Sequence, residues 1–207
     1  MSKLSFSEAK ARLLEILRKK SVFYGDFTLA SGARSNYYID CRLTTLDSEA
    51  AWLVGQVLYT LIKERAEQLG ITVTGVGGLT MGADPIALAT GMHSFRENPS
   101  SPLQAFVVRK APKSHGQTRL IEGNFKAGDK IVVIDDVVTK GDSTVAAIEA
   151  VRREGGEVVF VVVLVDRQQG GREKIENLGH PVVAVFTKED LLGPKTPEGR
   201  LSGEVCS

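Results

Sequence analysis

The feature that most constrains this chain is a set of short, β-branched runs, several of them apolar without a break. Val158 to Val165 reads Val-Val-Phe-Val-Val-Val-Leu-Val, and Ile131 to Ile134, Ala105 to Val108 and Val182 to Phe186 are shorter versions, with Ile71 to Val76 as a further β-branched run. A strand with one wet face alternates polar and apolar residues, whereas a strand apolar throughout is buried on both faces. Helical stretches separate the runs. Asp84 to Met92 carries Pro85 near its first turn, Ser143 to Arg153 stops at Gly155-Gly156, and Arg172 to Leu178 is a weaker third. Strand and helix in alternation predict an α/β fold, a mostly parallel central sheet flanked by helices on both faces.

Two more helices are predicted upstream. Ser5 stands three residues before Glu8, the spacing of a capping box, and Ala9, Leu13, Ile16 and Leu17 repeat at helical intervals to about Lys20. Asp47 or Ser48 can start the second, whose apolar face is Leu53, Val54, Val57, Leu58, Leu61 and Ile62 and whose end is Gly70. No repeat, low-complexity tract or linker interrupts the 207 residues, so a single domain is expected.

Charge narrows the partners. Lys plus Arg number 26 and Asp plus Glu 25, a formal net charge of +1, so no global field draws the chain to nucleic acid or an anionic membrane. Any anion it binds is held locally. Cys41 and Cys206 lie far apart and form no metal-ligand spacing, which predicts neither a disulfide framework nor structural zinc and makes the reducing cytoplasm the expected setting. The N-terminus mixes charges too early for a signal peptide, and the longest apolar run is far short of a membrane span.

In open α/β sheets ligands bind at the carboxyl ends of the strands, so chemistry is sought in the segments that follow the runs. After Ile131 to Ile134 come two carboxylates, Asp135 and Asp136, and then a turn of Thr139, Lys140 and Gly141 that opens a helix. Hydroxyls, a glycine that admits close approach, and unpaired helix N–H groups make a phosphate cup. Adjacent acids can hold polyol hydroxyls or a hydrated divalent cation. The combination suits a sugar phosphate, against the alternatives of a Walker-B-like pair or a solvated strand end before an ordinary helix. The chain contains no G-x-x-x-x-G-K-[ST], and Gly75-Val-Gly77-Gly78-Leu79-Thr80 has threonine where the third glycine of G-x-G-x-x-G belongs. After Ala105 to Val108, the segment Arg109 to Gly123 gathers Arg109, Lys110, Lys113 and His115, donors suited to a leaving pyrophosphate, although a solvated cationic loop has the same composition.

Val-Ile-Asp135-Asp136-Val137-Val138-Thr139-Lys140-Gly141-Asp142-Ser143 resembles the phosphoribosyl-pyrophosphate signature of the type I phosphoribosyltransferases. The resemblance implies that this whole segment binds phosphoribosyl pyrophosphate, Asp135 and Asp136 at the ribose hydroxyls and Thr139 to Thr144 at the 5-phosphate. Lys140 stands where the family usually has a small residue. Arg109-Lys110-Ala-Pro-Lys113-Ser-His115-Gly is similar to the catalytic loop of the orotate phosphoribosyltransferases within that family. It implies that Arg109, Lys110, Lys113 and His115 bind the pyrophosphate, that Lys113 and His115 act catalytically on it together with Asp136, and that the loop closes over the neighbouring site of a homodimer while Lys110 serves its own subunit.

Phe27-Thr-Leu-Ala30-Ser31-Gly32-Ala-Arg34-Ser35-Asn-Tyr37-Tyr38-Ile39-Asp40 resembles the family's N-terminal hood, and Asp166-Arg167-Gln168-Gln169 resembles the loop whose arginine pairs with orotate. Tyr37, Tyr38, Thr139 and Arg167 are thus the implied orotate contacts, although Tyr37 and Tyr38 also suit half-buried core positions and Arg167 a surface ion pair. The likeness runs from about Phe23 to Phe186 and divides the single domain into an N-terminal helix and hood, residues 1–45, and a core, 46–207. It implies transfer of ribose 5-phosphate from phosphoribosyl pyrophosphate to orotate, with Mg²⁺ held largely by substrate and water near Asp135 and Asp136 and no dedicated metal ligands. Ala30 and Met81 stand where many members carry lysine, so those two phosphate contacts are absent.

Overall fold

The computed structural model describes residues 4–28, 32, 34–111 and 120–193; Ala30, Lys113 and His115 lie outside them. Helix α1 (Phe6–Lys20) begins as its capping-box spacing requires. The Ser5 hydroxyl accepts the Glu8 N–H at 3.3 Å and the Glu8 carboxylate accepts the Ser5 N–H at 2.8 Å. Strands β1 (Val22–Thr28) and β2 (Arg34–Ile39) then pair antiparallel as a sheet of their own. A short helix, α2 (Arg42–Thr45), leads into α3 (Ser48–Leu69), which Asp47 caps through the Ala50 N–H at 3.0 Å and Gly70 ends.

The main sheet holds β3 (Gly75–Leu79), β4 (Gln104–Val108), β5 (Ile121–Gly123), β6 (Lys130–Val138), β7 (Glu157–Asp166) and β8 (Val182–Thr187) in the order β5-β4-β3-β6-β7-β8. Every neighbouring pair is parallel except β4 with β5. Helices α4 (Ala83–Glu97), α5 (Asp142–Arg153) and α6 (Gly171–Glu176) lie between strands, and α7 (Lys188–Leu192) follows β8. Alternate residues of β6 serve two cores. Val132 and Ile134 pack with α1, α3 and α4 on one face, and Ile131 and Val133 pack with α5 and α6 on the other. An unbroken apolar run is what two buried faces demand, each such side chain contributing roughly 1.5–3 kcal/mol of burial.

Two boundaries differ from the sequence expectation in ways that matter for the site. The first core strand is Gly75–Leu79, displaced from Ile71 to Val76. Glycines, poor strand formers, sit here because β3 lies centrally and tightly; a Cβ on Gly78 would fall 2.0 Å from the Ile134 carbonyl oxygen. Strand β6 runs on through Val138, because its pairing with β7 continues at Asp135↔Val163 and Val137↔Val165. The two acids therefore belong to a rigid strand rather than to the loop after it. From the adjacent strands β3 and β6 the chain departs in opposite directions, to β4 through α4 and to β7 through α5. Such a divergence opens a crevice at the carboxyl ends of the two strands.

Candidate active site

Asp135 sits in that crevice and is only 5% exposed. Its Oδ2 accepts the Thr144 hydroxyl at 2.8 Å and its Oδ1 accepts the Asp136 N–H at 3.0 Å. Burial, and then the charge of Asp136, push its carboxyl up to about 7. Burial raises Asp136 as well, against the Val137 N–H that its Oδ1 accepts at 2.9 Å and the positive charge of Arg42. Arg42 is itself clamped on Asp40 by two hydrogen bonds of 2.8 and 2.7 Å. Gly82, just before α4, lies against Asp136: a Cβ there would come within 2.4 Å of Oδ1. Two adjacent acids under strain from burial favour hydroxyl donors or a cation at this wall.

Beyond Val138 the chain turns through Thr139, Lys140 and Gly141 into α5, Gly141 taking the left-handed conformation at φ +79°. No side chain caps α5. Gly141, Asp142, Ser143 and Thr144 line the larger of the cavities at this crevice, and the free N–H groups of a helix start are suited to receive anions. The one acid in that turn, Asp142, is paired with Lys174 of α6, which holds its carboxyl below the usual range.

The loop after β7 is packed onto this turn. The Arg167 N–H donates to the Val138 carbonyl at 2.9 Å and the Gly171 N–H donates to the Thr139 carbonyl at 3.0 Å. A Cβ on Gly171 would fall 2.6 Å from that same Thr139 oxygen, so phosphate turn and arginine loop form one unit. The Asp166 carboxylate accepts the Gln168 N–H at 2.7 Å, tightening the loop around Arg167. Arg167 is 7% exposed, and its Nε and Nη2 have no hydrogen-bond partner among the described residues. Its Cζ lies over the Tyr37 ring, 5.6 Å from the centroid.

Two cavities, of about 890 and 370 Å³, share a wall made of Tyr38, Asp135, Val137, Thr139, Ser143 and Arg167. The larger adds Lys140, Gly141 and Asp142; the smaller adds Asp136 and Lys110. Val138 is buried beneath the turn and lines neither. Arg109 leans away, 3.7 Å from Glu122 on β5, so the two neighbouring cations of the basic segment diverge. Tyr37 and Tyr38 diverge too, because consecutive residues of a strand face opposite ways. Tyr38 lines both cavities and stands 5.7 Å from the Phe27 ring, whereas Tyr37 packs against the core and lines neither. Sequence reasoning missed Arg42, Cys41 and Thr80 in the smaller cavity and Thr28 in the larger. The hood-like motif contains Thr28 and runs to Asp40, just before Cys41 and Arg42, and Thr80 directly precedes Met81, the position where many members carry lysine.

Among the described residues no group of three or more His, Cys, Asp and Glu side chains forms a metal cage. The donors present, two hard carboxylates on one wall, fit a divalent cation that arrives on a phosphate ligand and keeps much of its water. No helix among the described residues is long and apolar enough to cross a membrane.

A phosphate cup, paired acids and a buried arginine at one switch point define a phosphoribosyltransferase, and residues 94–183 match the phosphoribosyl transferase domain family. The orotate phosphoribosyltransferase of Aquifex aeolicus is 41% identical over 186 residues, covering 88% of this chain and 97% of its own length. The crystal structure of the Mycobacterium tuberculosis orotate phosphoribosyltransferase with Fe(III) dicitrate superposes at a TM-score of 0.74 with 41% identity, over 88% of this chain and 98% of that one. A further structure of that enzyme, in complex with 5-phospho-α-D-ribosyl 1-diphosphate, superposes at 0.68 with 34% identity, over 88% and 91%. The chain belongs to the orotate phosphoribosyltransferase family.

Proposed function

We propose that the chain transfers the ribose 5-phosphate group of phosphoribosyl pyrophosphate to orotate, giving orotidine 5′-monophosphate and pyrophosphate in pyrimidine biosynthesis. The observation that carries this reading is the shared wall, on which Arg167 offers buried, unpartnered donors beside the phosphate turn and the acid pair. Cleavage of the bond between C1 and pyrophosphate leaves cationic character on the ribose ring and negative charge on the leaving group. Catalysis is therefore electrostatic and positional, and no residue is needed as a covalent nucleophile.

In this reading Thr139, Ser143 and the uncapped N–H groups of α5 hold the 5-phosphate, with Lys140 at the rim. Asp135 and Asp136 accept the ribose hydroxyls and face the developing positive charge. Lys110, together with Lys113 and His115, receives the departing pyrophosphate, Lys113 or His115 giving it a proton. Arg167 pairs with orotate against Tyr38, and Thr139 adds a hydroxyl. Mg²⁺ is the proposed cofactor; Asp135 and Asp136 would hold it together with substrate and water, and it would supply positive charge against the leaving group.

A homodimer with shared sites is also proposed. Leu88, Met92 and Phe95 of α4 are 59, 64 and 59% exposed and fall at helical spacing on one face, an apolar stripe suited to a second copy. The divergence of Arg109 from Lys110 supports a division in which Lys110 serves its own site. The proposed setting is the reducing cytoplasm, in keeping with the buried free thiol of Cys41. The test is loss of orotate absorbance with the purified chain, which must require both phosphoribosyl pyrophosphate and Mg²⁺. Turnover of a purine or uracil in place of orotate would overturn the assignment.

A further inference from the structure

A buried guanidinium needs a counter-charge, and Arg167 has none of the usual kind: none of its side-chain nitrogens is ion-paired, and Nε and Nη2 lack hydrogen-bond partners among the described residues. Its cationic carbon, Cζ, lies over the ring of Tyr37, 5.6 Å from the centroid. The two modes of holding an arginine differ in what they leave free. A carboxylate would occupy the in-plane N–H donors, whereas an aromatic ring stabilises the cation through its face and leaves the edge donors unspent. Tyr37 is well placed to do this because it is fixed in its turn. It pairs with Tyr24 across the hairpin, the Ser35 hydroxyl donates to its carbonyl at 2.7 Å, and its side chain packs against the core.

We infer that Tyr37 is a positioning residue for base recognition: its ring seats Arg167 so that the guanidinium edge is held ready for the planar acid of the acceptor. This rests on the proposed orotate specificity and deepens it, since it assigns Tyr37 a role through Arg167 rather than in contact with the base. Neighbouring aromatic residues of β2 thereby divide the task, Tyr38 facing the ligand cavity and Tyr37 supporting the arginine from behind.

The test keeps the ring and changes only its electron density. Tyr37→Phe is expected to hold orotate within about twofold of the unmodified chain, and mono-, di- and trifluorinated phenylalanine at position 37 should weaken orotate binding stepwise, to about tenfold in all, while the KM for phosphoribosyl pyrophosphate stays constant. In an Arg167→Ala background the same series should be flat. A loss of affinity that ignores fluorination, that falls on both substrates alike, or that persists at full size without Arg167 would overturn the role. If the unmodified chain turns over no orotate, the reading of the site fails instead, a result separate from any of these.

Discussion

Replacement of Asp135 by Asn should stabilise the protein while it damages the site. Burial and the neighbouring Asp136 charge move the Asp135 carboxyl from 3.8 to about 7 in the folded chain. A group whose folded value is raised binds its proton more tightly when folded, so stability falls as pH rises from about 4 to about 7 and is level above that. At 1.36 kcal/mol per tenfold change, the ionised carboxylate costs roughly 4 kcal/mol at pH 8 and under about 2 kcal/mol at pH 5. Asparagine keeps the shape and both hydrogen bonds, because its oxygen accepts the Asp136 N–H and its amide donates to the Thr144 hydroxyl, which can reverse its direction. Urea unfolding of ligand-free protein at the two pH values is the assay. The expected result is a variant more stable than the unmodified chain, by a margin that widens by roughly 2.5 kcal/mol between pH 5 and pH 8, with turnover at least about tenfold lower. An equal margin at both pH values, or a variant less stable at pH 8, would refute the claim that the buried charge is the source of the cost.

Three other perturbations probe separate parts of the site. Arg167→Ala should weaken orotate binding by roughly 2–3 kcal/mol and leave phosphoribosyl pyrophosphate nearly untouched, with Arg167→Lys recovering only part of the loss because an ammonium lacks the planar fork; calorimetric titration of each substrate checks this. If the sites are shared across a homodimer, mixing inactive Lys113→Ala and inactive Asp136→Asn chains restores activity through hybrids, and hybrids no more active than the two parents together would count against sharing. His180, whose proton affinity is lowered by burial and then by the charge of Arg152, should make the protein lose stability as pH falls below about 6.5, where the unfolded chain protonates first. A His180→Gln variant should show a flatter decline in unfolding midpoint between pH 7 and 5.5.

The sequence carried the two-sided sheet because its information is local and redundant. Ile131 to Ile134 and Val158 to Val165 are unbroken where both faces are buried, and Ser5, Asp47 and Gly70 mark helix ends by side-chain chemistry that acts within a few residues. It misplaced β3 because glycine is the residue least suited to a strand in isolation. Only the approach of the Ile134 carbonyl, distant in sequence, explains why no side chain is present at Gly78. The motif residues of the acid pair and phosphate turn were legible as a block for the same local reason. What was not legible is direction. Nothing in the adjacent letters of Tyr37 and Tyr38, or of Arg109 and Lys110, says that members of each pair diverge, since that follows from the strand and the ladder they join. Arg42 escaped notice because its relevance comes from the charge it presents to Asp136, almost a hundred positions away in the chain.

The same long-range geometry explains why the site is not its own ligand. A buried cation, Arg167, a buried acid, Asp135, and its half-buried neighbour Asp136 line one small cavity, and opposite charges in a low-dielectric space attract strongly. Yet the described residues contain no ion pair between them. Asp135 is held back by Thr144 and the backbone of β6, Asp136 by its own strand and Gly82, and Arg167 by Tyr37 and the turn that bonds it to Val138. Each anchor lies on a different element, and the strands and helices that carry them are fixed by the two cores. Were the walls free to close, the charges would neutralise one another, and affinity would be lost both for a ligand that brings hydroxyl donors and for one that brings a carboxylate. Rigid separation instead leaves each charge to be completed by the substrate group of matching chemistry, so the stability lost to unpaired burial reappears as binding.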